Sequence, residues 1–464
     1  MTVATVALQS KVEAAGTWRS VVRAMGLSGG ASLASGLLSM AATKIVAVTM
    51  GPEQVALLGT LTQLRQSALT AATLTGQTAL VQGASATSGV ERREFLGTAA
   101  IVISCTTAVV MTAMLIVPEW ICRQAGLPGS QAGLIRWLVL ALLPATAYVF
   151  LAAVMNAAGA IGSLTWVQLA GPASMAVLAY LLTQVGAWNN GTLFVGMLVL
   201  SSSSAALAAG IGLYRMRREV RGWFHGSGRW WNRRAARRFL AISGSMFASG
   251  IVSSWVTLAV RGHVLRSQGL AIGGQFDAAW SISMSQTGLV LASLQTYYLP
   301  ALARTRDSRE RSGQIGRVLM AATITGALLI GTLIALMPFV IATLYSPEFL
   351  GARQYLRWTL AGDYLKITSW ILSVPLVASA NMRAFLAADL SAYLAFAAAA
   401  FGLNRWFTAA ESAAIAFVVM YVVHATFCGI WLGLRGEFPS SLGLVATWIA
   451  GLASVAAISG VFWT

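Results

Sequence analysis

The sequence predicts an all-α integral membrane protein: two parallel six-helix bundles, a 6+6 repeat, around a central cavity, with an extra helix at the C-terminus. Three observations predict it. Of the 464 residues, 57% are hydrophobic and only 10% charged, with a mean hydropathy of +0.73, whereas a soluble domain carries roughly a quarter charged residues. Apolar runs of about 20 residues, each long enough to cross a bilayer, recur along almost the whole chain. The two halves also resemble one another at a nearly constant offset.

In chain order, spans are predicted near residues 21–49, 55–84, 96–117, 134–157, 163–186 and 192–214. The Arg-rich segment RMRREVRGWFHGSGRWWNRRAARR, 215–238, interrupts them. Further spans follow near 239–262, 272–303, 318–344, 354–380, 384–403 and 411–434, and a last apolar run occupies 441–463. This divides the chain into a first bundle at 1–214, a cytoplasmic linker at 215–238, a second bundle at 239–434 and a thirteenth helix within 435–464. The first twenty residues lack the compact apolar stretch and small-residue cleavage site of a signal peptide, so the N-terminus is expected to stay in place. Pro144, Pro172, Pro338 and Pro375 lie inside spans, where each removes a backbone donor and permits a kink. Small-residue stretches such as SGGASLASG (28–36) and SSSS (201–204) favour close helix packing.

Orientation follows from Lys/Arg asymmetry in the short loops. Segments on the N-terminal side hold twenty-one Lys and Arg, including nine from Arg215 to Arg238. The other side has Arg123, Arg261, Arg266, Arg353 and Arg405. The N-terminus and the Arg-rich segment are therefore expected in the cytoplasm. The same asymmetry, together with anionic headgroups beside those loops, accounts for the net charge of +17, so no nucleic-acid partner is expected. Cys105, Cys122 and Cys428 are scattered and show neither metal-ligand nor disulfide spacing. No cofactor, metal site or catalytic constellation is expected, and the chain is not read as an enzyme.

The repeat rests on three segment pairs. ASLASGLLSMAATKIVAV (31–48) resembles SMFASGIVSSWVTLAV (245–260). ALLGTLTQLRQSALT (56–70) aligns with AIGGQFDAAWSISMS (271–285), and GLIRWLVLALLP (133–144) with QYLRWTLAGDYL (354–365). An even number of spans per half makes the halves parallel, which places a solute pathway between two bundles near the membrane midplane.

Charged residues inside spans carry the functional reading, because each costs roughly 2.5–3.5 kcal/mol to insert. Lys44, Arg65, Arg261 and Arg266, with Gln63 nearby, are read as a cationic, hydrogen-bonding cavity wall suited to phosphate. The alternative for these cations is snorkelling to an interface or internal pairing. Asp363 and Lys366, at i and i+3 in LAGDYLKITSWILSVPL, can neutralise one another on one helix face. They are read as an ion pair, or with Asp277 as a gate or an ion-coupling site, with Asp389 a weaker candidate for the same role.

Those residues resemble a known family. TKIVAVTMGPEQVALLGTLTQLRQ (43–66), GQFDAAWSISMSQTGLVLASLQTYYLPALA (274–303) and LYSPEFLGARQYLRWTLAGDYLKITSWIL (344–372) look like segments of Wzx-type polysaccharide flippases. These belong to the MOP superfamily with the MATE drug exporters and the lipid II flippase. The resemblance implies a V-shaped pair of bundles in a bacterial inner membrane. Its substrate would be an undecaprenyl-pyrophosphate-linked oligosaccharide, such as an O-antigen repeat unit, moved from the cytoplasmic to the periplasmic leaflet. Membrane lipids and other polysaccharide-assembly proteins are the further partners it implies. Lys44 and Arg65 correspond by position to the cavity, while the family's glutamine after the second-span glycine is Thr60 here. A MATE-like ion-coupled drug or metabolite exporter is the alternative; it would prefer acidic residues in the cavity.

Overall fold

A computed structural model describes residues 3–185, 191–224, 230–305, 307–379, 381–439 and 442–461; residues 225–229 of the Arg-rich segment lie outside these. Among the described residues the chain is helical throughout, with no strand. The first two predicted spans form one long element, α1 (Val3–Thr73), broken at Gly51, whose φ of 78° and ψ of −176° suit only a residue without a Cβ. Pro52 has no N–H to lose there and starts the second arm. There follow α2 (Gln77–Ser85), α3 (Gly89–Ile116), the short α4 (Pro118–Gln124), α5 (Ala132–Ala157), α6 (Ile161–Val185) and α7 (Gly191–Arg215). Helices α5, α6 and α7 agree with the predicted spans to within two residues, and α3 starts seven residues before its predicted span. The predicted span at 55–84 differs: it breaks at Leu74 and Thr75, both at positive φ, before α2.

The second half repeats the plan. After the amphipathic α8 (Arg217–Phe224), α9 (Arg233–Arg304) breaks at Gly269, with φ 82° and ψ 174°. Gly51 and Gly269 are 218 residues apart and share one backbone conformation, a structural signature of the duplication. The remaining helices are α10 (Ser308–Ala335), α11 (Met337–Leu344), α12 (Arg353–Ala378), α13 (Met382–Gly402), α14 (Ala409–Leu434) and α15 (Leu442–Val461). Helix starts carry polar caps where they meet water: Asn232 on α9, Asp307 on α10, and a Thr408–Glu411 capping box on α14.

Helices α1, α3, α5, α6 and α7 pack among themselves, as do α9, α10, α12, α13 and α14, and α1 against α9 forms the main seam between the bundles. By length and composition, eight helices of the described residues can cross a membrane, or nine counting the bent start of α9. Their outward apolar side chains, such as Trp166 at 76% exposure and Leu328 at 69%, are those of a surface bathed in lipid. The chain is a multi-pass membrane protein. Helix α12 fails that compositional test because it carries Asp363 and Lys366, yet both are buried, so protein surrounds them instead of lipid.

Both ends of the seam are stitched. At one end the Arg-rich segment docks on α3. Arg92 lies over the Trp223 ring at 4.2 Å and Arg93 over Trp230 at 5.2 Å. Asn232 donates to Glu94 at 2.5 Å, and the Asn232 N–H donates to Thr98 at 2.9 Å. At the opposite end, glycines bring backbone onto backbone: a Cβ on Gly274 would overlap Pro52, and one on Gly262 would overlap the Gln124 carbonyl. Helix α15 closes the far side of the second bundle, where Trp448 donates to Thr368 at 3.0 Å and accepts from Tyr364 at 3.0 Å.

Candidate functional site

A cavity of about 620 Å³ opens along the seam, walled by α1, α5, α6, α7 and α9 and by Tyr345. Helical periodicity selects its lining. On the first arm of α1 the lining positions are Ser35, Ser39, Ala42 and Thr43, which recur on one face. Lys44 is one residue, about 100°, further round, and it is exposed instead of lining the cavity. On the second arm Gly59, Thr62, Gln63 and Gln66 face inward, with Arg65 at the edge of that face.

Arg65 lies deep among these groups. Its Nη1 donates to Ser202 at 2.9 Å, and that hydroxyl in turn donates to the Leu198 carbonyl at 2.7 Å. Its Nε is buried without a hydrogen-bond partner, and among the described residues no carboxylate forms an ion pair with it. Gln63 donates to Ser67 at 3.4 Å, leaving its carbonyl oxygen for other partners.

Arg261 and Asp277 also line the cavity, but as partners: Nη2 and Oδ1 are 2.5 Å apart, with the side chains 11% and 9% exposed. The sequence reading gave them separate roles, one in gripping an anion and one in gating. Their charges cancel, so the net charge of the lining rests on Arg65. The pair is seated against Gly59, where a Cβ would lie 2.9 Å from Arg261 Nη2 and overlap the carboxylate. Arg266 is outside this cavity. It is exposed and donates to the Arg123 carbonyl and, at 3.4 Å, to the Gln124 carbonyl, tying α9 to the end of α4.

Asp363 and Lys366 are 0% and 6% exposed in the core of the second bundle. Lys366 Nζ lies 3.2 Å from the Met284 sulfur and 5.9 Å from the Phe417 and Tyr421 ring centroids. Met284 also lines the cavity, so the lysine sits one side chain behind its wall. Asp389 belongs to a separate knot joining three helices, with His424 at 3.3 Å and Ser249 donating at 2.5 Å. Among the described residues no group of three or more His, Cys, Asp or Glu could hold a metal ion.

Sequence reasoning missed Ser202, Tyr148, Gln168, Trp280 and Tyr345. Ser202 belongs to the SSSS run, read only for close packing. Trp280 was findable: pairing 56–70 with 271–285 sets it opposite Arg65, so equivalent positions of the two halves face one cavity.

An α1–α9 seam with a cavity between two parallel bundles is the fold seen in MATE transporters and in the lipid II flippase. An inward-facing multidrug resistance MATE family transporter of the MOP superfamily matches with a TM-score of 0.68 at 14% identity, over 92% of this chain and 96% of that one. The lipid II flippase MurJ in its inward closed conformation matches at 0.65 and 17% identity, over 94% and 98%. In sequence, 163 residues are 27% identical to the lipid III flippase of Escherichia coli (strain K12), covering 34% of this chain and 38% of that protein. The match thus spans well under half the length of that relative. No protein-family model matches the chain.

Proposed function

We propose that the chain is a flippase for an isoprenoid-pyrophosphate-linked oligosaccharide, an O-antigen-type repeat unit, working by alternating access of its two bundles. The observation that carries this reading is Arg65: a partly buried cation with, among the described residues, no carboxylate partner, in a cavity whose largely apolar lining also carries hydroxyls and amides. A group that costs roughly 2.5–3.5 kcal/mol to place in a membrane needs a compensating partner, and a pyrophosphate supplies one through charge-assisted hydrogen bonds. Gln63, Gln66, Ser202 and Thr62 offer the donors and acceptors that sugar hydroxyls require. The isoprenoid tail stays in lipid while the headgroup follows the seam. The partial match to a lipid III flippase supports a lipid-linked substrate. The positive segment at 215–238 supports loading from the cytoplasmic leaflet of a bacterial inner membrane.

The test is leaflet transfer of a fluorescent undecaprenyl-pyrophosphate oligosaccharide in proteoliposomes, wild type against Arg65→Ala. Hydrogen bonds to a charged group are worth about 1.5–3 kcal/mol, so the variant should transfer at least about ten-fold more slowly with an unchanged melting temperature. Equal rates would remove the assignment of Arg65. If wild type transfers no lipid-linked sugar but exports a lipophilic cation, the drug-exporter reading stands instead.

A further inference from the structure

A second cavity, of about 390 Å³, lies apart from the first, at the end of the bundles opposite the Arg-rich segment. It is framed by the start of the second arm of α1, the turn before α5, the start of α7, and Leu270 just past the α9 break. Its size falls in the roughly 300–1,000 Å³ range of small-molecule sites. The chemistry differs from that of the central cavity. Trp137 presents an indole at 58% exposure, and around it stand Glu53, Gln54, Ser130, Gln131 and Thr192. Among the described residues, Glu53 is the one charged residue in the lining. The nearest sequence neighbour that could add a cation, Arg136, is engaged with Glu119 at 3.0 Å. The Gln131 Oε1 atom is buried without a hydrogen-bond partner.

We propose that this cavity is a saccharide subsite that takes a neutral sugar ring and excludes phosphate. A lining whose charge is a carboxylate repels an anion. An indole face carries negative quadrupole density and attracts the polarised C–H groups of a pyranose face. Amides and hydroxyls each offer both donor and acceptor atoms, the pattern a ring of alternating hydroxyls presents. The vacant acceptor on Gln131 then receives a sugar O–H, which relieves an atom that is costly to leave unpaired. The two cavities divide an amphiphilic headgroup between them: the cationic one holds pyrophosphate and the sugar next to it, and the carboxylate-lined one receives a further sugar at the exit end. That transport role rests on the flippase reading above, whereas the saccharide chemistry does not.

The experiment is saturation-transfer NMR on the purified full-length protein in detergent. The probes are glucose, galactose, rhamnose, N-acetylglucosamine and maltotetraose, with inorganic pyrophosphate as the anionic control. At least one saccharide should receive saturation. Loss of the stacking indole should weaken that signal several-fold in Trp137→Ala. Trp137→Phe should retain part of it, Gln131→Leu should reduce it, and Trp166→Ala, on the outward face and in neither cavity, should leave it unchanged. If Trp137→Ala does not fold, the Phe and Leu variants still decide. No saccharide signal, or signals indifferent to Trp137 and Gln131 in folded protein, overturns the subsite even when vesicles transfer the lipid-linked substrate normally. Trp137-dependent binding in a protein that transfers no lipid-linked sugar keeps the subsite and removes the flippase reading.

Discussion

Arg261 and Asp277 show how much of this site is decided by individual side chains meeting across a hairpin. They stand sixteen positions apart, on opposite sides of the Gly269 break, and no helical spacing relates them, so their pairing was hidden in the sequence. Removing one partner strands the other: breaking a buried pair costs about 3–5 kcal/mol, while replacing both with apolar groups of similar size is often neutral. Asp277→Asn should therefore lower the melting temperature in detergent, and Asp277→Leu with Arg261→Met should restore most of it; a double variant no better than the single would point to a role beyond mutual neutralisation. The position of Arg65 on the cavity wall was legible because a cation three turns into an apolar span has few ways to be satisfied. At Lys44 the structure differs from the sequence reading in geometry: its neighbour Thr43 takes the inward position, because hydropathy alone does not fix helical phase.

At the level of elements, the spans were legible almost throughout, since the length of an apolar run is set by bilayer thickness. The Gly51–Pro52 break was marked in the sequence by its dipeptide; the equivalent break at Gly269 falls between the predicted spans at 239–262 and 272–303 but has no proline to mark its position. The stitching of α9 onto α1 and α4 by glycines was not legible, because a missing side chain announces nothing about what fills its place. Gly274→Val should force the α1–α9 contact apart, since a Cβ overlaps Pro52. A cysteine at Gln275, in a Cys105→Ser background, should then react faster with a membrane-impermeant maleimide, several-fold by the two-state logic of such seams. Unchanged reactivity would mean that Pro52 yields locally and the contact does not hold the end shut.

For the whole molecule, the proposed cycle requires the glycine-stitched end to part. Arg123 and Arg266 approach from opposite bundles there, the guanidinium of one on the carbonyl of the other. Cysteines at both positions, joined by a short bis-maleimide, should abolish transfer in vesicles, whereas each single variant should remain active after the same treatment. Activity surviving quantitative cross-linking would exclude separation at this end. The paired breaks at Gly51 and Gly269 bear on the same motion. Both lie at the end that has to part, beside the Gly274–Pro52 contact, and because each turn has the other's shape, the two lips of that opening are near copies of one another, like matched jaws.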